Sequence, residues 1–265
     1  MTLVTLLAAG WALAAVLMLL VWLVAVRIRN AGIVDIAWAG SFLPLATLYA
    51  ALGGGALDLV TAMALTAGAW SLRLTLFLYW RVMGHHPVED ARYQQLRRDW
   101  APHADRRFFW FFQAQALAAV FFSLPFALMA VDPEPGLTPW HWLGLAVWGV
   151  AVAGESLADW QLSRFKANPA NRGRTCQAGL WRYSRHPNYF FEWLVWCGFA
   201  LMAASSPAGW LAFASPLTML YLLFRVTGIP ATERAALRSK GDEYRDYQRT
   251  TSAFVPWFRK TPRSS

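Results

Sequence analysis

The chain is dominated by apolar runs of a length that only a membrane requires. A hydrocarbon core of ~30 Å is crossed by about 17–25 consecutive apolar residues in a helix. Seven runs approach or reach that length: 3–26, 33–52, 59–80, 108–130, 138–162, 189–205 and 208–226. In lipid a spanning segment must satisfy its own backbone groups, which makes each run a helix. Prolines at 44, 125 and 216 fall inside spans, where neighbouring helices can take up the freed carbonyls. The expected fold is therefore all-α, a polytopic integral membrane protein of about seven transmembrane helices. No internal repeat or second domain is visible, and residues 1–265 read as a single membrane-embedded domain. A 57% hydrophobic content exceeds the ~45–50% of soluble chains. Sixteen tryptophans and seventeen phenylalanines suit the aromatic belts of two membrane interfaces.

The charges orient this layout. If residues 27–32 face the cytoplasm, so do 81–107, 163–188 and 227–265, and 22 of the 24 Lys and Arg residues fall in those four segments. Arg225 borders the last of them, and Arg73 alone lies within a span. The opposite loops, "GGGALD", "VDPEPG" and "ASSPAG", hold no Lys or Arg. This is the positive-inside pattern, with the N-terminus outside and the C-terminus cytoplasmic. It also accounts for the net charge of +9. With no basic helix, zinc spacing or RNA-binding signature, nucleic acid is not an expected partner.

Several other classes are set aside by missing signals. Residues 1–26 lack a positive n-region and exceed the ~7–15 apolar residues of a signal peptide core, so they read as a first membrane helix. Cys176 and Cys197 give no disulfide framework and read as inert. There is no GxGxxG after a strand, no GxxxxGK[ST] and no HExxH. "HHPVED" at 85–90 offers adjacent histidines with poor chelating bite, so no metal is expected. The final "RKTPRSS" reads as a frayed tail.

Charged residues within membrane spans are costly and mark function by default. Five qualify: Asp35, Arg73, Glu155, Asp159 and Glu192. All lie toward the cytoplasmic ends of their spans, and Glu155 and Asp159 share one helix face, a turn apart. One of them on its own could be structural glue. Four acids and one arginine, however, do not neutralise one another, and the surplus calls for water, a proton or a ligand. The result is a polar pocket open to the cytoplasm. Around its mouth stand Arg164, Lys166, Arg172, Arg174, Arg182, Arg185, Arg225 and Arg249. Most of these suit lipid phosphates, and a subset suits a bound phosphate, which the guanidinium fork grips in pairs.

The densest polar stretch is "GLWRYSRHPNYFFEW" (179–193), at the mouth of the sixth apolar run. It resembles the signature of the steroid 5α-reductase C-terminal superfamily, in the bacterial branch labelled a domain of unknown function (DUF1295 type). The likeness runs from Val34-Asp35-Ile36-Ala37-Trp38 to "DEYRDYQRTTSAFVPW" and is most specific over 155–257. The resemblance implies a membrane enzyme that brings a cytosolic nucleotide to a lipid-dissolved substrate, with 155–257 binding the cofactor and 1–130 supplying substrate-side helices. The methyltransferase members also carry Arg-His-Pro before an aromatic. The asparagine before the aromatic and the acid four residues on, Asn188-Tyr189 and Glu192, match the reductases more closely.

By the same resemblance, Asn188 and Glu192 hold the carboxamide region of NADPH, and Asn plus Glu offers both the donors and the acceptors a carboxamide needs. Asp159 and Arg73 match cofactor-contacting positions, and Lys166 a basic one. Tyr244 and Tyr247 fall in the family's C-terminal cap over the cofactor. Glu155, Arg174, Tyr183, Arg185, His186, Tyr189 and Arg249 complete the expected cofactor set. The family's second-helix glutamate is here Asp35, and its partner tyrosine is replaced by Trp70, which supplies no proton.

The expected reaction is NADPH-dependent reduction of a conjugated C=C bond in a lipophilic enone, such as a 3-oxo-4-ene steroid. Asp35 is the expected acid, protonated by virtue of a low-dielectric setting. The expected protein is a monomer in the inner membrane, in contact with membrane lipids, with its cofactor site facing the cytoplasm. Two alternatives stay open: an S-adenosylmethionine-dependent methyltransferase of a lipid or isoprenoid, and a non-enzymatic lipid-binding protein.

Overall fold

Where the sequence runs apolar, the chain is helical. The computed structural model describes residues 1–259 and contains eleven α-helices and no strands among them. The part of the expected tail at 260–265 lies outside the described residues. Four helical segments are long and apolar enough to cross a membrane: Leu3–Ile28, Ile33–Gly53, Leu57–Met83 and the run Gly209–Lys240. A fifth is gained if Ala104–Phe122 and Leu124–Ala130, bent by 46° at their junction, count as one span. These helices mark a membrane protein.

Two of the apolar runs read from the sequence form helices that fall short of that standard for visible reasons. The segment at 138–162 becomes Pro139–Ala167, which carries Glu155, Asp159, Arg164 and Lys166 in its second half. The segment at 189–205 becomes Pro187–Ala203, only 17 residues and so about 26 Å long at 1.5 Å per residue.

The chain divides into two compact units. The first comprises residues 1–139 and 203–212. Its helices are α1 (Leu3–Ile28), α2 (Ile33–Gly53), α3 (Leu57–Met83), α4 (Ala91–Asp99), α5 (Ala104–Phe122) and α6 (Leu124–Ala130). The Thr2 hydroxyl caps α1 by accepting from the Thr5 amide. Phe42 and Trp70 pack at 5.2 Å and Phe42 and Phe126 at 6.3 Å, so α2, α3 and α6 share an aromatic core. Pro44 lies inside α2. Nearby, Ser71 Oγ on α3 accepts from Leu43 N at 3.2 Å and donates to Ala39 O at 2.6 Å.

Outside the long helices, buried Glu89 pins α4 to the α1–α2 turn. It accepts from Ala31 N at 2.6 Å and from both Arg97 Nε and Nη2, at 3.1 and 2.9 Å. In the sequence this stretch, within 81–107, is expected only to be a cytoplasmic connection.

The second unit comprises residues 140–202 and those from 213 onward. Its helices are α7 (Pro139–Ala167), α8 (Pro187–Ala203), α9 (Ala214–Arg225), α10 (Ile229–Lys240) and α11 (Asp242–Thr250). A Cβ on Gly144 would meet Gly198 O at 2.7 Å, and one on Gly198 would meet Gly144 O at 3.0 Å. Only glycine at both positions lets α7 and α8 approach this closely. The loop between them is stitched to α7, with Leu180 N donating to Gln161 Oε1 and Trp181 Nε1 to Ala158 O, both at 2.9 Å. The substrate-side division of the sequence, 1–130, falls in the first unit. The cofactor-side division, 155–257, falls in the second apart from 203–212.

Candidate functional site

The close approach of α7 and α8 brings their polar residues together. Glu155 and Asp159 stand one turn apart on α7, with only 3% and 4% of their surface exposed. On α8, Asn188 and Glu192 are likewise spaced by one turn and share a face. Asn188 Nδ2 donates to Asp159 Oδ1 at 3.3 Å, joining the two helices. Glu192 Oε1 accepts from the Trp196 indole at 3.0 Å. The cluster thus gathers one amide, with a donor and an acceptor, and carboxylates that only accept when ionised. That inventory fits a ligand presenting both N–H and C=O, such as a carboxamide.

The motif just before α8 is held differently. Arg185 Nε donates to Glu233 Oε1 at 2.6 Å, and its Nη1 donates to Gln248 O at 2.9 Å and Thr251 O at 2.6 Å. Glu233 also faces His186 Nε2 at 3.3 Å and accepts from Gln248 Nε2 at 2.8 Å. His186 is buried and stacked on Tyr189, with centroids 5.3 Å apart and planes within 6°. The Tyr189 hydroxyl meets Thr232 Oγ1 at 3.1 Å. Tyr247 O–H donates to Ser184 O at 3.1 Å and also to Trp181 O. Burial first, then the charge of Glu233 nearby, pushes the Tyr244 phenol up; burial, then Tyr244, does the same for Tyr247. Both phenols therefore remain protonated donors at neutral pH. Arg185, His186 and the two tyrosines are thus bound into a C-terminal strap, α10–α11 and the segment after it.

Among the other expected cofactor residues of this unit, Lys166, Arg174 and Arg249 are exposed and Tyr183 is 37% exposed. Arg249 is paired with Asp246 on its own helix. Cys176 is buried, and that burial raises its thiol pKa, which keeps it a protonated, weak nucleophile.

Asp35 and Arg73 belong to the first unit. Arg73 is half-buried with its guanidinium 5.6 Å from the Phe77 ring centroid. Asp35 sits in the first turn of α2 and both its oxygens are engaged from α4. Tyr93 O–H donates to Oδ1 at 2.6 Å and Arg92 Nη2 to Oδ2 at 3.0 Å. Arg92 is shared with Asp90, whose Oδ1 lies 3.1 Å from its Nε. Burial, then Asp35's charge, raises the Tyr93 phenol well above its ordinary value. Trp70 is fully buried in the aromatic core. A separate groove of about 540 Å³ is lined by Leu13, Leu43, Pro44, Thr47, Leu48 and Ala51. It holds no ionisable group and suits hydrocarbon, not the chemistry of Asp35.

Several partners in these networks carry no mark in the sequence. Glu233 lies in "ATERAALRSK", which reads as an ordinary amphipathic helix. Tyr93 and Arg92 lie 58 and 57 residues from Asp35, too far for any local pattern.

The chain is thus a helical membrane protein that sets a partly buried carboxamide–carboxylate cluster between two glycine-packed helices, behind a motif bound by a C-terminal strap. It belongs to the DUF1295 family, described as protein of unknown function, which it matches over residues 21–251. It is similar to an uncharacterized protein of Schizosaccharomyces pombe (strain 972 / ATCC 24843), with 29% identity covering 89% of this chain and 75% of the relative. No solved structure matches.

Proposed function

We propose that the chain is an NADPH-dependent membrane reductase of the steroid 5α-reductase C-terminal superfamily, acting on the C=C bond of a lipophilic enone such as a 3-oxo-4-ene steroid. The observation that carries this reading is the Asp159–Asn188 contact at 3.3 Å, with Glu192 one turn on. An amide–carboxylate bond at the long end of hydrogen-bond range can be exchanged for a ligand's carboxamide without stranding a charge. Asn188 would then donate to the ligand carbonyl, and Asp159 and Glu192 would accept from its amide. Lys166 and Arg174, both exposed, are the cations assigned to phosphate in this reading. Arg185 contributes instead by fixing the strap against the motif, since three of its donor contacts lie within the protein.

NADPH, when bound, supplies a hydride to the β-carbon of the enone. The negative charge that develops on the carbonyl oxygen then needs a hydrogen-bond donor, and the α-carbon needs a proton. Asp35 is the residue assigned to that proton, but both its oxygens accept here, from Tyr93 and Arg92, so it would act as a carboxylate that relays a proton and not as the resident protonated acid expected from the sequence. The Tyr93 hydroxyl beside it holds a transferable hydrogen 2.6 Å away, which fills the role that Trp70 cannot. In this reading α7 and α8 complete seven spans, the N-terminus lies outside, and the polar ends of the helices face the cytoplasm from the inner membrane. The chain acts as a monomer.

Thermal unfolding of the detergent-purified protein with NADPH, NADH and S-adenosylmethionine tests the reading. A ligand present at about 100 times its dissociation constant stabilises the folded state by ~2.7 kcal/mol. A melting shift with NADPH is expected. A shift with S-adenosylmethionine alone would replace the reductase by a methyltransferase, and no shift with any of the three would leave the lipid-binding alternative.

A further inference from the structure

The segment after α11 carries three apolar side chains that stand exposed among the described residues. Val255 is 50%, Trp257 67% and Phe258 77% exposed. Tyr183, 37% exposed, joins them, with its ring 6.2 Å from Phe258. The backbone carrying them is fixed. Arg185 N donates to Ser252 O and Trp257 N to Tyr183 O, both at 2.9 Å, and Ser184 Oγ donates to Phe254 O at 2.7 Å. Phe254 points the opposite way and is buried, its ring 5.1 Å from Phe224 and 5.5 Å from Phe190. The outward rings are therefore held on a stiff support, and their exposure is built into the local structure.

The position and rim of this wedge indicate what covers it. It is bonded to residues 183–185, directly before α8 begins at Pro187 and the sequence turns from polar to apolar. That boundary corresponds to the headgroup level of a membrane. Exposed Arg182 and Arg259 flank the wedge. Tryptophan suits such a place, because its ring enters the acyl boundary while its N–H stays in the wet layer. Arginines beside it are attracted to anionic headgroups.

We propose that Val255, Trp257 and Phe258 form a wedge that docks on the anionic phospholipid surface of the membrane holding the chain. Docking there would clamp the C-terminal strap, and through the Ser184 and Arg185 bonds it would steady the motif that precedes α8. The inference stands on the wedge itself and does not depend on which cofactor the α7–α8 cluster takes.

The test places a fluorophore on a cysteine at position 258 (Phe258→Cys with Cys176→Ser and Cys197→Ser) in the full chain, one copy per nanodisc. Discs of zwitterionic lipid are compared with discs containing anionic lipid. A quencher attached at headgroup depth is expected to reduce emission about twofold or more, with a weaker effect in purely zwitterionic discs, and aqueous iodide to have little effect. Strong quenching by iodide and none by the lipid-borne quencher would put the wedge in water and overturn the proposal. Protection from iodide that requires NADPH would make the aromatics a nucleotide platform, and protection only when two copies share a disc would make them a self-association surface. Because the triple variant could fail to fold, Trp257→Ala/Phe258→Ala with both native cysteines is measured in parallel. It should lose the extra melting temperature that anionic lipid confers on wild type, and an unchanged anionic-lipid effect would also overturn the proposal.

Discussion

The acids that lie in or beside the apolar runs are held differently in the two units. In the first unit Asp35 is gripped by a guanidinium and a phenol, both from the short helix α4. In the second, Asp159 takes an amide and Glu192 an indole, both from α8. Arg92 is half-exposed, so water screens its ion pairs, but the buried Tyr93 phenol adds a second, shorter bond to Asp35 from the same helix. The Asp159–Asn188 bond, taken by itself, can be exchanged at a cost of about 1 kcal/mol. The first arrangement therefore suits a group that must hold its position while a proton moves. The second suits a surface that opens to admit a ligand and closes again without it.

The largest break in this contrast should come from Asp35. On the proposed reaction, Asp35→Ala is expected to lower kcat by roughly 10²–10⁴-fold, the range of general acid catalysis, while NADPH affinity stays within about twofold. Tyr93→Phe should produce a smaller loss of the same kind, and steady-state kinetics beside direct cofactor titration measures both. A matching loss of cofactor affinity in Asp35→Ala would make this acid a structural clip.

The α7–α8 cluster should respond the other way. Asn188→Ala and Glu192→Ala are each expected to weaken NADPH about tenfold, ~1.4 kcal/mol, with kcat at saturation little changed. Isothermal titration of the purified variants reads this directly. Wild-type affinity in both would remove the cofactor from this cluster.

The smallest effect sharpens the account of the Asp35 side. Burial acts to raise the Asp90 carboxyl pKa, but the hydrogen bonds and charge of Arg92 outweigh it and hold it below its ordinary value. A depressed folded-state pKa contributes stability above the unfolded value of ~3.9 and loses it as pH falls through the lower folded value. Asp90 is 35% exposed, so this pair is worth a few tenths of a kcal/mol at most after solvent screening. Thermal melts between pH 6 and pH 3 should show wild type losing slightly more stability than Asp90→Asn. Parallel curves would mean that the Asp90–Arg92 pair adds nothing to the hold on Asp35.

Much of this architecture could be read from the sequence where a periodic or compositional signal exists. The first three helices follow directly from long apolar runs, and Glu155 and Asp159 stand a turn apart because both lie on one helix. Glu192 is marked by its charge at an apolar run and Asn188 by resemblance, and the structure sets Asn188 against Asp159 because Gly144 and Gly198 admit close packing. Little in a linear pattern announces that particular pairing of glycines. The bend between α5 and α6 was also hidden inside one apolar run, 108–130. What stayed out of reach were contacts across long stretches of chain: Tyr93 with Asp35, Glu89 with Arg97 and Ala31, and Glu233 with Arg185. Their residue types occur throughout the polar segments, and only the folded backbone tells one arginine or glutamate from the next.

The hydroxyl of Ser71 has a consequence for how the chain enters lipid. It donates to Ala39 O at 2.6 Å and accepts from Leu43 N at 3.2 Å, next to Pro44, so a side chain from α3 serves the backbone of α2 beside the residue that has no N–H of its own. Lipid offers no such partner. The α2–α3 hairpin, and not the single helix, is therefore the smallest piece of this protein in which those backbone groups have the partners they show here.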